Sequence, residues 1–162
     1  MSRIQHLIGT LEFNRPRTLG LLEKIEQEPD AQRVLAWRPG PGRAHIGWQL
    51  MHIGITEELF ATERLKPEKV GQWLELWPRF RGGSTPDDNA PTPAEIREVL
   101  SGARQHLLET LATFDDSQLG WVAPALAARQ LHLLDVLHIL GWHEAHHQGQ
   151  AHITFNLYKA QA

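Results

Sequence analysis

His143 and His147, in the run HEAHHQGQ, stand four positions apart. On a helix that spacing stacks them one turn above each other. Two imidazoles so placed can share one metal ion, as the two histidines of the zincin motif do. His52, in the run WQLMHIGITEE, can supply a third ligand from another helix. Three neutral imidazoles leave coordination positions open for water or substrate, the arrangement of a catalytic site rather than a closed structural one.

The rest of the composition narrows the class. A chain of 162 residues fits one domain, read here as residues 1–162, large enough to bury a core without staples. Net charge is −3, with acids and bases interspersed and no long Lys/Arg run, so nucleic acid is not an expected partner. There is no cysteine, which excludes disulfides, thiolate ligands and a cysteine nucleophile. The N-terminus has no signal-peptide core, and no stretch approaches the roughly 18 apolar residues of a membrane span. The expectation is a soluble, cytoplasmic protein with no membrane partner.

Four segments carry helical periodicity. The first covers about residues 2–28, with Pro16 predicted to kink or split it. The second covers about residues 44–65, after the breaker run RPGPGR. The third starts on a capping box, with Thr92 as N-cap, Pro93 and Glu95, and runs to about Phe114. The fourth covers about residues 130–159. No run alternates at period two, so the fold class is all-α: a four-helix bundle with a long connection between helices two and three. That connection divides into an apolar part, GQWLELWPRF at 71–80, and a polar, breaker-rich part at 81–91 that reads as mobile. The cluster Trp73, Leu74, Leu76, Trp77 and Phe80 must cover the site mouth, pack on the bundle or form a subunit contact.

The histidines fall on inward stripes. On the fourth helix Val136, Leu140, His143, His147, Gln150 and Thr154 share one face; on the second, Trp48, His52, Ile55 and Leu59 do. Burying three imidazoles is costly unless each finds a partner, and a metal satisfies all three at once. The competing reading is three ordinary histidines bonded to backbone or carboxylates, in a chain that has ten. His146 and His45 are candidates for supporting positions. His6, His106, His132, His138 and His152 read as surface or core-edge groups. His143, Glu144 and His147 formally match HExxH, but a helix packed against others gives Glu144 no assured access to a metal-bound water. Glu144 is therefore expected at the surface or behind a ligand, and Glu57 and Glu58 in solvent.

Together these runs resemble the DinB-like (YfiT-type) family of metal-binding four-helix bundles. The matching pieces are WQLMHIG with Trp48 and His52, HEAHHQGQ with His143, His147, Gly149 and Gln150, the PGPGR run, and the Asn14-Arg15 pair. The resemblance implies a divalent metal, zinc or nickel, held by His52, His143 and His147, and a homodimer. Relatives include thiol-dependent S-transferases and a maleylpyruvate isomerase. The chain departs at Gln148, where the family commonly has Arg; an amide replaces neither the charge nor the fork of a guanidinium.

Two chemistries suit such a centre. One lowers the pKa of a water toward about 7 for hydrolysis. The other activates an exogenous low-molecular-weight thiol against a small-molecule electrophile. Hydrolysis needs a general base that the sequence does not identify, so the thiol-dependent transferase or isomerase reading leads. A metal-dependent hydrolase and a non-catalytic, metal-stabilised stress-response dimer are the alternatives. Gln150, Thr154 and Trp48 are candidate pocket-lining groups. Zinc and nickel are not separable by imidazole ligands alone. An imidazole reference pKa of about 6.5 predicts metal affinity falling as the pH drops through roughly 6.

Overall fold

The computed structural model describes residues 2–161 and is helical in its regular structure. The helices are α1 (Arg3–Glu26), α2 (Ala31–Ala36), α3 (Ile46–Leu59), α4 (Trp77–Phe80), α5 (Pro93–Leu111) and α6 (Leu133–Gln161). The four long ones, α1, α3, α5 and α6, are the four read from periodicity. Among the described residues the only extended pairing is one isolated bridge between Val122 and His132. No described helix is long and apolar enough to cross a membrane.

Local chemistry sets the boundaries. The Thr92–Glu95 capping box starts α5 as expected, with both reciprocal bonds in place. α6 begins later than predicted because a 3-10 segment, Pro124–Arg129, ends on Gln130 in the left-handed region at φ 51°. α3 passes into a π-helical turn, Phe60–Arg64, instead of continuing regularly to residue 65. Pro16 does not split α1. Its missing N–H deprives only the carbonyl of Glu12, and both residues are exposed, so water can serve that oxygen.

α3 is the central helix. It packs against both α5 and α6, and Gln49 is its only residue that is not buried. Gly54 permits the close approach to α5, since a Cβ there would stand 2.8 Å from Val99 Cγ1. Such all-round burial erases the amphipathic signal that orients a surface helix.

Two apolar clusters flank a charged layer. One contains Leu22, Ile53, Ile55, Phe80, Leu100 and Phe155. The other contains Leu11, Phe60, Leu107, Leu111, Leu137 and Leu140. Between them lie Arg15 of α1, Glu57 of α3, Arg104 of α5 and Glu144 of α6, one residue from each long helix and all buried. Arg15 donates to both oxygens of Glu57 at 2.8 Å and to Glu144 Oε1 at 2.8 Å. Arg104 donates to Glu57 Oε1 at 2.5 Å and to Glu144 Oε2 at 2.6 Å. Arg104 Nε donates to Glu57 Oε2 at 3.3 Å, Arg15 Nη1 to the Leu100 carbonyl and Arg104 Nη1 to the Leu11 carbonyl, and Thr18 Oγ1 donates to Glu144. Burial opposes the charge on Arg104, but Glu57 and Glu144 outweigh it and raise its pKa above the ordinary arginine value.

This layer corrects the expectations for the carboxylates. Glu57 is in the core, not in solvent, because two arginines neutralise it. Glu58 is fully buried as well, accepting from His106 Nδ1 at 3.0 Å and from the Gln72 backbone N–H at 2.8 Å. Glu144 is neither at the surface nor behind a metal ligand; it closes the charged layer.

The connection between α3 and α5 is anchored along its length. Phe80 is buried, while Trp73, Leu76 and Trp77 are half-buried against the core. The stretch 81–91, read as mobile, is tied down by two arginines. Arg38 donates to the Pro86 and Asp87 carbonyls, and Arg79 to Asp87 and the Asn89 carbonyl.

Candidate metal centre

His52 projects from α3, and His143 and His147 from successive turns of α6. Each offers one ring nitrogen, and these three atoms lie within 4.8 Å of one another. His52 Nε2 and His143 Nε2 stand 3.0 Å apart. Three nitrogens on one tetrahedral ion would stand about 3.4 Å apart, given bonds of about 2.0–2.1 Å. The rings therefore need only small movements to share an ion.

The groups behind the rings fix which nitrogen faces inward. His52 Nδ1 donates to the Phe80 carbonyl at 2.6 Å, leaving the Nε2 lone pair toward His143. His147 Nδ1 donates to Gln49 Oε1 at 2.5 Å, which leaves its Nε2 free. A second partner that holds the outer N–H sets the tautomer and ring orientation a metal ligand needs. Trp48 stacks on His52 with ring centroids 4.6 Å apart and planes at 14°. Trp48 Nε1 donates to the Arg79 carbonyl at 3.0 Å. The chain at 79–80 thus supports both rings, so the apolar connection serves the site through its backbone, while Trp73, Leu76, Trp77 and Phe80 pack on the core and Leu74 stays exposed.

The electrostatics favour neutral rings. Burial, then the neighbouring His147 and His52, lowers the His143 pKa to about 2. Burial, then His52 and His146, lowers that of His147 to about 3. Burial also lowers His52, opposed by its bond to the Phe80 carbonyl. With His143 and His147 held neutral by burial, the loss of metal expected near pH 6 is displaced to more acidic solution.

In the metal-free protein the lowered values of these rings make stability depend on pH. Folded, these rings stay neutral; in the unfolded chain they take protons below about pH 6.5. The unfolded state therefore binds more protons, and stability is full above that value and declines as the pH falls toward the lowered folded values. Urea midpoints measured from pH 7.5 to 4.5 should fall, and less steeply in His143→Leu. Equal slopes in the two proteins would contradict the assignment.

The other histidines sit elsewhere. His146 is exposed, stacks on Trp142 at 4.6 Å, and has the Gln150 amide 2.9 Å from its Nε2. His45 is buried and caps α3, its Nδ1 accepting from the Trp48 N–H at 3.0 Å. Gln150 and Thr154 line a groove beside the centre together with Gln49. Gln148 lines a separate shallow groove with Arg17 and Lys24 of α1.

Sequence reasoning did not single out Gln49, the Phe80 carbonyl or the charged layer. A backbone acceptor leaves no mark in a sequence. The layer did leave one: Arg15 interrupts the stripe Leu11, Thr18, Leu22, and Arg104 interrupts Leu100, Leu107, Leu111. Inward arginines at those positions demand buried carboxylates.

An all-helical chain with three converging neutral histidines on two facing helices defines a class of candidate metal-binding proteins. The family model of the DinB superfamily matches residues 10–151, and the chain belongs to that superfamily. No curated protein and no solved structure matches it.

Proposed function

We propose that the protein is a metalloenzyme whose divalent ion, zinc or nickel, is held by His52, His143 and His147 inside a four-helix bundle. The bundle reading is supported by the charged layer, which draws one residue from each long helix. The observation that carries the metal reading is the convergence of three imidazole nitrogens, with no fourth His, Asp or Glu in the group among the described residues. Such an ion supplies Lewis acidity at its open positions, favouring the deprotonated form of a thiol or water placed there.

The reaction we favour is thiol-dependent transfer or isomerisation with an exogenous low-molecular-weight thiol. What supports it is the fate of the carboxylates. Hydrolysis calls for a general base within about 3 Å of the attacking water or one water away. Glu144, the acid of the HExxH match, is bound to Arg15, Arg104 and Thr18, away from that role. Glu57 and Glu58 are engaged as well. A thiol, with a reference pKa of about 8.5, needs far less help to ionise than water does.

The protein's own groups would orient the rings, through Phe80 and Gln49, and keep water from the inner side, through Trp48 and Phe80. The test is zinc- or nickel-loaded protein with a small thiol and 1-chloro-2,4-dinitrobenzene. In that reaction a C–S bond forms, the C–Cl bond breaks and chloride leaves. Acceleration should require thiol and metal together, and His52→Ala or a chelator should abolish it. Ester hydrolysis without thiol would favour the hydrolase instead. A loaded protein inert to thiol–electrophile pairs would favour the stabilising role.

A further inference from the structure

We infer that the groove beside the metal centre is a carboxylate-recognition subsite, with Arg43 as its anchor, for the thiol cosubstrate. The inference rests on the thiol-dependent reading above. The groove measures about 340 Å³ and runs between the 38–45 loop and α6, with Gln49 of α3 in its wall. Gln49 is the link to the chemistry, because its Oε1 already holds the His147 ring. A molecule lying in this groove is therefore one side chain away from a proposed ligand.

The lining has one sign of charge. Arg43 is its only charged residue; Gln49 and Gln150 contribute amides, and Pro39 and Ile153 an apolar lip. Carboxylates nearby are committed elsewhere. Asp87 is taken by Arg79 and Asp88 by Arg38. No carboxylate within ion-pair distance of the Arg43 guanidinium occurs among the described residues. Its backbone, by contrast, is fixed: Arg38 Nη1 donates to the Arg43 carbonyl at 2.7 Å, next to a turn at Gly42 with φ 70°. The loop thus holds the Arg43 backbone in place and leaves its side chain free for a ligand.

Gln49 adds a donor of the same preference. With Oε1 accepting from His147, its NH2 group is what remains for the groove. A planar guanidinium fork and an amide N–H, without a competing acid, select a carboxylate over a cation or an uncharged group. Because Gln49 stands at the outer nitrogen of His147, the occupant is a thiol of peptide-like size, long enough to hold its carboxylate at Arg43 and reach past Gln49 with its sulfur to the metal-facing side of the ring.

The test uses the cobalt(II)-loaded protein, titrated with N-acetyl-Cys-Gly and with its C-terminal amide, which differ only in the carboxylate. The near-ultraviolet sulfur-to-cobalt charge-transfer band gives each affinity. The acid should bind about tenfold tighter than the amide, consistent with a charge-assisted contact at an accessible site. Arg43→Gln, on an exposed loop, should erase that preference, with the acid losing more affinity than the amide. Equal affinities of the two peptides in the unmodified protein, with a normal band, would overturn the groove and leave the thiol reading standing. A preference that survives Arg43→Gln would overturn the role of Arg43. The absence of a band with either peptide would overturn both readings.

Discussion

Alanine in place of His147 is expected to strip the metal from the purified protein, whereas alanine at His146 should leave it bound. The two histidines are neighbours in sequence, and either lies within reach of His143 around a helix that turns about 100° per residue. The stripe of Val136, Leu140 and His143 favours His147, and the structure separates the two sharply. His147 joins His52 and His143 in one cluster, with its outer nitrogen held by Gln49. His146 is exposed, stacked on Trp142 and engaged by Gln150. Removing one of three ligands should leave effectively no binding at micromolar metal. Removing a neighbour should cost no more than the lower end of the roughly 10–100-fold range of supporting groups. Elemental analysis of both variants decides, and a metal-free His146→Ala beside a loaded His147→Ala would reverse the assignment.

The charged layer predicts the largest loss of stability. Arg104→Met should destabilise the protein by about 3–5 kcal/mol, because Glu57 and Glu144 would be left buried with only Arg15 between them. The cost is that of stranded charge, not of the ion pairs as such. Replacing all four residues with apolar side chains of similar volume should therefore recover most of the loss, or even exceed wild-type stability by about 1–4 kcal/mol. Urea denaturation of the single and quadruple variants checks both. A single variant within about 0.5 kcal/mol of wild type would show that the layer is hydrated rather than buried.

The long helices and the three histidines were legible for the same reason. α5 and the His-bearing turns of α6 show polar substitutions on apolar stripes at helical spacing, and the capping box marks where α5 starts. α3 was legible as a helix but not as to its faces, because burial on every side removes the contrast between inward and outward residues. Glu57 and Glu58 were misplaced on that account: an acid in a helix usually marks the solvent side, and here arginines and His106 from other helices reverse the rule. Of the two outcomes expected at Pro16, a kink or a split, the split does not occur, and the exposure of Glu12 and Pro16 that allows water to reach the orphaned carbonyl is not written in the sequence. The support that Phe80 gives His52 comes from 28 residues away and through a backbone atom, so no spacing rule could have found it.

X-ray absorption at the metal edge, on protein purified without an affinity-tag metal, tests the central claim most directly. One divalent ion per chain is predicted, coordinated by three imidazole nitrogens at about 2.0–2.1 Å for zinc, with the remaining positions filled by light atoms from solvent. His52→Ala should lose the ion. A stoichiometric ion without an imidazole signature, or one that survives in His52→Ala, would contradict the account.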